Sequence, residues 1–385
     1  MSLADDAKLL LIPTGYKTSK VYSVFPTDGD GDFDYTRSGD ASRVNPGGLI
    51  ETVGTNIPRI DHLGGGCPTL LLEPQRTNIS KYSEDFSNSV WLKTSTTVTT
   101  NQIIAPDGTL TADKLDFSSS TSARTAQIAT ASSGNYVLSI YLRSVSGSGN
   151  FRIALGKFGG SLSTKTIALT EEWQRYQIEF NHDSTTDLLY YIGYYIDNSF
   201  LQEVYSWGAQ LEQGSYPTSY IKTTSGTVTR QKDECLNGGD SDLFDITEGT
   251  FFVDITPFNN EISNRYISLS DSTSDNRIEF QVRASSNVID VLCEGNNGGL
   301  EVIRTINITF NTRNKLLVTF DNNNFKIYIN GSLNFTDTSF TKPINLNRLS
   351  FANSTNGFTY EGKVHDTRVY DRVLTETEAI ELTTL

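Results

Sequence analysis

Short segments of alternating polar and apolar residues, separated by turns, constrain this chain to an all-β fold. In residues 135–144, for example, Leu138, Ile140 and Leu142 form one apolar face, opposite Val137, Ser139, Tyr141 and Arg143. This two-residue period is typical of a half-buried strand. Comparable segments recur at short intervals from about residue 126 to residue 212, and again from residue 249 to residue 374. Such spacing predicts β-sandwiches or jelly rolls.

The composition agrees with short strands and many turns. The 385 residues include 18 Tyr, 20 Phe and one Met, and aromatic residues make up 11% of the chain. Aromatic and β-branched residues favour strands, and their spread along the chain argues against disorder. The formal net charge of −14 repels polyphosphate, so we expect no nucleic-acid partner. No stretch approaches the ~18 apolar residues of a membrane span, so we expect no membrane insertion.

The cysteines and the N-terminus indicate folding in a reducing compartment. Cys67, Cys235 and Cys293 are odd in number and widely spaced, which supports neither a disulfide framework nor a zinc site. We therefore predict buried, reduced thiols. The first residues, MSLADDAKLLLIPTGYK, are acidic where a secretory signal is basic. We expect the chain to fold in a reducing cytosol.

The changes in pattern along the chain predict two β-sandwich domains behind an irregular, β-rich N-terminal segment. Residues 1–78 are rich in Gly and Pro and show little alternation, so we expect them to pack on a neighbouring domain or subunit. Residues 79–222 and 243–385 are the predicted sandwiches, and the polar residues 223–242 are a predicted linker or returning strand. Thr375 and Glu378 form a capping box before the one predicted helix.

The run Asp28-Gly-Asp30-Gly-Asp32 has the spacing of a calcium-binding loop. Three carboxylates at alternate positions can converge on a hard cation. An EF-hand loop that began at Asp28 would need Glu at its twelfth position, where the chain has Gly39. A structural turn is therefore the main prediction, and a structural calcium at Asp28, Asp30 and Asp32 is the alternative. No other cofactor is expected.

The sequence contains no recognisable catalytic motif. A glycosidase needs two carboxylates at a defined separation, and the candidate acids Asp254, Asp290 and Glu294 do not have the spacing of a glucanase strand. The histidines, at positions 62, 182 and 365, lie outside any GxSxG or HExxH context. We therefore expect no enzyme activity and assign no catalytic residue.

Tyrosines offer the best candidate for a ligand surface. In residues 188–196, Tyr190, Ile192 and Tyr194 are predicted to point inward, while Tyr191 and Tyr195 point outward on either side of Gly193. Flat rings of this kind stack on the apolar faces of sugars. The alternative is a subunit or domain contact or simple half-burial. The three tryptophans, Trp91, Trp173 and Trp207, are predicted core or interdomain anchors.

Three parts of the chain resemble known families. Residues 29–91, with the strings GDFDYTRSGDASRVNPGGLIE, NIPRIDH and CPTLLLEPQRTN, followed by YSEDFSNSVW, resemble phage head-spike and tail-fibre proteins. The strings YVLSIYLRS, EEWQRYQIEF and WGAQLEQGSYPTSYI are similar to jelly-roll carbohydrate-binding modules. The strings NKLLVTFDNNNFKIYING and FTYEGKVHDTRVYDRVLTETEAIEL resemble laminin-G-like, concanavalin-type domains.

These resemblances imply a phage virion surface protein, a head fibre or spike, that adheres to glycans without catalysis. Its N-terminal segment would dock to other virion proteins or form the oligomer, and resemblance to fibres implies a homo-oligomer, such as a trimer. Two alternatives stay open. One is a tail-fibre or baseplate protein that binds a host receptor, and the other is a capsid decoration protein without a ligand.

Overall fold

Strands form nearly all of the regular secondary structure, so the all-β prediction is confirmed. The computed structural model describes residues 2–184, 186–194, 199–244, 247–259, 263–284, 286–295 and 299–385. The chain divides into two compact units, and both are discontinuous in sequence. Unit 1 comprises Met1–Gly39, Val53–Pro74 and Lys232–Leu385. Unit 2 comprises Asp40–Thr52 and Gln75–Gln231.

Unit 1 is a β-sandwich with strands from both ends of the chain. Its strands and helix are β1 (Leu9–Leu11), β2 (Tyr16–Lys17), β3 (Lys20–Val21), β4 (Phe33–Thr36), β7 (Ile60–Asp61), β8 (Thr69–Leu72), β21 (Glu234–Leu236), β22 (Gly249–Pro257), β23 (Arg265–Ser270), β24 (Arg277–Val282), β25 (Val288–Gly295), β26 (Gly299–Asn307), β27 (Asn314–Phe320), β28 (Phe325–Ile329), β29 (Ser332–Asp337), β30 (Arg348–Ser350), β31 (Gly362–Tyr370) and α1 (Glu376–Thr383). One sheet has the order β29-β28-β27-β22-β31-β8-β7, with β1 also paired to β31, and the other has the order β26-β25-β24-β23-β30. A small third sheet runs β2-β3-β4-β21.

Alternating apolar residues of the two large sheets form the core of unit 1. Phe251 and Val253 of β22 contribute from one sheet, and Ile278 and Phe280 of β24 contribute from the other. The rings of Phe251 and Phe280 lie 5.2 Å apart between their centroids. Asp321 begins the predicted tight turn between β27 and β28, where its backbone N–H donates to the Asn324 carbonyl.

Unit 2 is a second β-sandwich. Its strands are β5 (Ala41–Val44), β6 (Ile50–Val53), β9 (Arg76–Asn78), β10 (Leu92–Thr94), β11 (Thr97–Ile104), β12 (Leu110–Asp116), β13 (Arg124–Ala129), β14 (Gly134–Ser144), β15 (Gly149–Lys157), β16 (Leu162–Leu169), β17 (Gln174–His182), β18 (Leu188–Ile192), β19 (Glu203–Gln213) and β20 (Val228–Arg230). The two main sheets run β10-β13-β18-β15-β16 and β11-β12-β19-β14-β17. Leu138, Ile140 and Leu142 of β14 are buried between the sheets, as their alternation predicts.

The predicted domain boundaries require correction. Residues 1–78 are not a separate segment, because β1 pairs with β31, and β7 and β8 extend the same sheet. Residues 223–242 are not a linker, because β20 pairs with β9 and β21 pairs with β4. The open edges of a sheet need partners, and these short strands supply them from distant parts of the chain.

A buried ionic network joins these segments within unit 1. Asp233 accepts hydrogen bonds from the side chains of Tyr35, Arg37 and Arg59, and from the backbone N–H of Glu73. Arg59 also donates to the Glu73 carboxylate at 2.5 Å, so two cations face two anions. Burial opposes the Arg59 cation, but the carboxylates of Asp233 and Glu73 outweigh it and raise the pKa of Arg59. All five side chains are almost completely buried, and buried charge requires such pairing.

The cysteine prediction holds for two residues and is wrong for the third. None of the three cysteines, all of which lie in the described residues, is part of a disulfide, and Cys235 and Cys293 are buried in the core of unit 1. Cys67 is exposed, because it follows three glycines in a turn between β7 and β8. That turn contributes no apolar strand face that would bury the thiol.

Helix α1 begins where the capping box predicts. The Thr375 side chain accepts from the Glu378 backbone N–H, and the Glu378 carboxylate accepts from the Thr375 backbone N–H. Arg372 donates two further hydrogen bonds to this carboxylate, at 2.9 and 2.8 Å. Within the described residues, no helix is long and apolar enough to cross a membrane.

The Glu378 contacts predict a pH-dependent contribution to stability. Hydrogen bonding to Arg372 is the main reason why the pKa of Glu378 falls from 4.5 to about 2. A depressed pKa in the folded state stabilises the fold above pH 4.5, and this contribution is lost as the pH falls towards 2. Gln can keep the capping hydrogen bond but loses the ion pair with Arg372. We therefore expect Glu378→Gln to lower the free energy of unfolding of unit 1 by about 1 kcal/mol at pH 7, and by much less at pH 2.5.

Urea unfolding of wild type and variant at the two pH values measures this difference. Glu381→Gln is the control, because Glu381 lies on the same helix but makes no side-chain hydrogen bond or ion pair with the residues described. An equal loss from Glu378→Gln at both pH values would contradict the assignment.

Candidate functional site

Tyr191 points away from the core as the sequence predicts, but Tyr194 does not point inward. Tyr190 and Ile192 of β18 are fully buried, while Tyr191 is half-buried on the opposite face of the strand. The strand ends at Ile192, so Tyr194 does not point inward as predicted, and its ring stacks on that of Tyr191 with the centroids 4.9 Å apart. Arg124 lies over the Tyr191 ring at 5.4 Å. Tyr195 lies outside the described residues.

The Asp28–Asp32 run forms a turn in unit 1. The Asp28 carboxylate accepts from the Asp30 backbone N–H at 3.1 Å, and the Asp32 carboxylate accepts from the Ser23 backbone N–H at 2.9 Å. The negative charge of Asp28 raises the pKa of Asp30. Among the residues described, no group of three or more His, Cys, Asp or Glu side chains is placed to hold a metal ion. Calcium binding here stays a prediction.

The three carboxylates weighed as catalytic acids are engaged in ion pairs. In unit 1, Asp254 pairs with Arg313. Asp290 pairs with Arg283, and Glu294 pairs with Arg277. None of the three lines the pocket described next, which lies in unit 2.

An aromatic cluster on the outer side of the sheet β11-β12-β19-β14-β17 forms the base of that pocket. Trp207 of β19 and Tyr220 lie with their ring centroids 4.5 Å apart, and Tyr141 of β14 lies 5.6 Å from Trp207. The Trp207 indole donates to the Thr111 hydroxyl at 3.1 Å. Trp207 and Tyr220 are almost fully buried, and the buried position of Trp207 agrees with its predicted role as an anchor.

Beside the cluster, guanidinium groups lie against further aromatic rings. Arg143 lies about 6 Å from the rings of Trp173 and Tyr205 (6.0 and 5.9 Å). Arg175 lies 5.5 Å from the ring of Tyr141. Cation–π attraction of this kind stabilises the packing of the guanidinium groups on these rings.

The hairpin β5–β6 supplies the opposite wall. Its turn is closed by Asn45, whose side chain accepts from the backbone N–H groups of Gly47 and Leu49 at 2.9 and 3.1 Å. The Ser42 hydroxyl donates to the Tyr220 carbonyl at 2.6 Å, and the Ile50 N–H donates to the Pro106 carbonyl at 3.0 Å. Residues 40–52 are thereby fixed against the sandwich of unit 2.

The resulting pocket has a volume of about 550 Å³. That size lies within the range of small-ligand sites. Its lining combines aromatic, aliphatic, hydroxyl and charged side chains. They are Asp40, Ala41, Ser42, Ile50, Glu51, Thr52, Glu84, Asp107, Trp207, Tyr220, Ile221, Lys222, Val228 and Arg230.

Hydrogen bonds hold the polar groups of one wall in place. The Tyr220 hydroxyl donates to the Glu84 carboxylate at 2.9 Å and shares a hydrogen bond with the Ser83 hydroxyl at 2.7 Å. Lys222 forms an ion pair with the other Glu84 oxygen at 2.7 Å. Burial, followed by the nearby Glu84 charge, raises the pKa of Tyr220 well above its usual value. Tyr220 is therefore a neutral hydroxyl that orients Glu84.

Sequence reasoning missed this pocket. Its lining comes from the stretches 40–52, 84–107 and 207–230, which are separated by long intervals of sequence. Two of the strings that carry the family resemblances, GDASRVNPGGLIE and WGAQLEQGSYPTSYI, supply opposite walls. Neither string has a local sequence pattern that predicts contact with the other.

Comparison with known families covers part of the chain. Residues 241–379 match a family model described as the concanavalin A-like lectin/glucanases superfamily. The predicted resemblance of the C-terminal region to concanavalin-type domains is thereby confirmed. No curated protein matches the sequence.

Solved structures show only distant similarity. The Ruminococcus gnavus IT-sialidase CBM40 bound to α2,3 sialyllactose has 17% identity and a TM-score of 0.32, over 36% of this chain and 84% of that one. Domain 4 of the Geobacillus stearothermophilus arabinanase AbnA, in complex with arabinotriose, has 15% identity and a TM-score of 0.33, over 45% and 84%. A heptameric SAP-like pentraxin from Limulus polyphemus has 16% identity and a TM-score of 0.29, over 36% and 70%.

Proposed function

We propose that this protein is a non-catalytic, glycan-binding protein and that the pocket of unit 2 is its binding site. The pocket itself carries the proposal, because fixed carboxylates and hydroxyls line a cavity of about 550 Å³ over the buried rings of Trp207 and Tyr220. A sugar ring presents apolar C–H faces and a rim of hydroxyls. The fixed hydrogen-bonding groups match the hydroxyls, and the exposed parts of Ile50 and Val228 offer apolar contact to the C–H faces.

The preformed hydrogen bonds support recognition of hydroxyl groups. Glu84 is oriented by Tyr220 and Lys222, so it does not have to be ordered when a ligand binds. Preorganisation of this kind reduces the entropic cost of binding. The match of residues 241–379 to a superfamily that includes lectins is compatible with glycan binding by the chain.

The place of action we propose is the surface of a phage virion, as a head fibre or spike. The resemblance of residues 29–91 to head-spike and tail-fibre proteins supports this placement. We further propose folding in the bacterial host cytoplasm, contact with other virion proteins, and assembly into a homo-oligomer, such as a trimer. Many copies on one particle would make weak individual sites effective through avidity. The tail-fibre and decoration roles are the alternatives.

A second candidate surface is the stacked pair Tyr191 and Tyr194. The two rings stack on each other with an angle of 27° between their planes, and Arg124 lies over the Tyr191 ring. The half-buried pair supplies aromatic surface for a ligand but lacks the enclosing walls of the pocket. Tyr191→Ala separates the two candidates.

A glycan-array screen of the protein, multimerised on beads, tests the proposal. Val228 lines the pocket and is 40% exposed, so Val228→Trp is expected to obstruct the pocket without disturbing the core. We expect it to weaken binding at least ~10-fold, equivalent to about 1.4 kcal/mol. The matched control is Leu333→Trp, at a 41% exposed position in unit 1, which should bind as wild type does.

The outcomes are distinct. Binding that survives Val228→Trp but is lost with Tyr191→Ala would place the site on the stacked tyrosine pair. Absence of binding by folded, multimerised wild-type protein to every glycan would contradict the proposal and favour the decoration role.

A further inference from the structure

The charges that line the pocket of unit 2 are unequal. Four carboxylates line it, those of Asp40, Glu51, Glu84 and Asp107, against only two cations, Lys222 and Arg230. The whole chain is also acidic, with a formal net charge of −14. A concave site with charges of one sign concentrates the field that an entering ligand meets.

Two of the four carboxylates are neutralised by neighbours. Glu84 pairs with Lys222 at 2.7 Å, and Glu51 pairs with Arg43 at 2.7 Å. Their remaining oxygen lone pairs can accept hydrogen bonds from sugar hydroxyls. They therefore add acceptors to the pocket with little net charge.

The other two carboxylates leave negative charge for the ligand. Asp40 is exposed and has no hydrogen-bond or ion-pair partner among the described residues. One Asp107 oxygen accepts from the backbone N–H and hydroxyl of Thr109, at 2.9 and 2.7 Å, but no cation pairs with it within the described part of the chain. Arg230 is almost fully buried, and it donates to the Ser219 hydroxyl at 3.4 Å.

An acidic sugar would bring a further negative charge beside these two, in a lining with four carboxylates and two cations. Like charges placed together at a binding site are strongly unfavourable and serve to reject a ligand. A neutral sugar avoids this repulsion. An amine-bearing sugar adds attraction to the Asp40 carboxylate, with a charge-assisted hydrogen bond.

We infer, on the basis of the proposed glycan-binding function, that the pocket selects glycans without acid groups, and that Asp40 makes a free sugar amine favourable. Neutral sugars bind by hydroxyl and apolar contacts. Sialylated, uronic-acid and sulphated sugars are rejected by Asp40 and Asp107.

The test is an array of oligosaccharides of matched length in three classes: neutral, amine-bearing, and sialylated or uronic. Wild-type protein on beads is expected to bind neutral and amine-bearing members, and acidic members at least ~10-fold less. Asp40→Lys is expected to weaken binding of amine-bearing members and to reduce the discrimination against acidic ones. Asp275→Lys, at an exposed carboxylate of unit 1, is the control and should leave both preferences unchanged.

Ionic strength provides an independent readout. Exposed charges are screened over about 10 Å at 0.1 M salt and about 3 Å at 1 M. The preference against acidic glycans should therefore shrink at high salt in the wild type and change less in Asp40→Lys.

The failures of the two proposals are distinguishable. Preferential binding to acidic glycans, abolished by Val228→Trp, would overturn the charge selection and leave glycan binding in the pocket intact. Charge preferences unchanged by Asp40→Lys would also overturn the inference. Binding to no class would overturn the proposed function and the inference together.

Discussion

Asp233→Ala is expected to lower the free energy of unfolding of unit 1 by about 3–5 kcal/mol, the cost of breaking a buried ion pair. The substitution removes the acceptor for Arg37, Arg59 and Tyr35 at once. Of the two carboxylates in the network, Glu73 would then remain to balance two buried guanidinium groups. A domain has roughly 5–15 kcal/mol of stability in total, so this loss is a large share.

Hydrogen exchange resolved by peptide, together with urea unfolding by far-UV circular dichroism, measures the effect. Exchange should accelerate in β4, β8 and β21, which flank the network. The control is Glu234→Ala, the next residue along the chain. Glu234 pairs with Lys232 on the surface, and surface pairs contribute at most about 1 kcal/mol. Equal losses from the two variants would contradict a special role for the network.

Gly193→Ala is expected to destabilise unit 2 by about 3 kcal/mol, the sum of backbone strain and overpacking. Gly193 has a φ of +80°, and a Cβ there would lie 2.4 Å from the Phe117 ring. That ring is fully buried and packs on Phe151 with the centroids 5.5 Å apart, so it has little room to move. The close approach expected at Gly193 from the sequence is therefore made by a core ring of the same unit.

Two further variants separate the causes. Gly159 has a similar φ of +72° but open space around its missing Cβ, so Gly159→Ala should show the strain alone, about 1–2 kcal/mol. The double variant Gly193→Ala with Phe117→Leu should lose less than the sum of the single losses. Tryptophan fluorescence during urea unfolding is a suitable measurement, because all three tryptophans lie in unit 2. A Gly193→Ala loss no larger than that of Gly159→Ala would refute the steric explanation.

The features that sequence predicted correctly are local. Leu138, Ile140 and Leu142 are buried because a strand alternates faces every residue. The turn at Asp321 and the cap at Thr375 depend on hydrogen bonds between residues two or three positions apart. Tyr191 faces away from the core for the same local reason, up to the end of β18. At Gly193 the strand ends, and the prediction for Tyr194 fails with it.

The sequence-based prediction of a ligand surface at Tyr191 and Tyr195 used the pattern of a single strand. Tyr191 could be selected because its neighbours in sequence are also its neighbours in β18. The pocket could not, because Asp40, Tyr220 and Arg230 come together only through strand pairing and the anchoring of the β5–β6 hairpin. None of these residues has an unusual local pattern.

By itself, the sequence determined the all-β class, most strand positions, the helix cap and the concanavalin-type character of the C-terminal region. All of these follow from patterns within a few residues, because side-chain alternation and capping are short-range effects. The tertiary structure alone decided which segments share a unit, that residues 223–242 are structural, and where the pocket lies. These depend on sheet edges finding partners and on buried charges such as Asp233 finding counter-ions, and both are contacts between residues far apart in the chain.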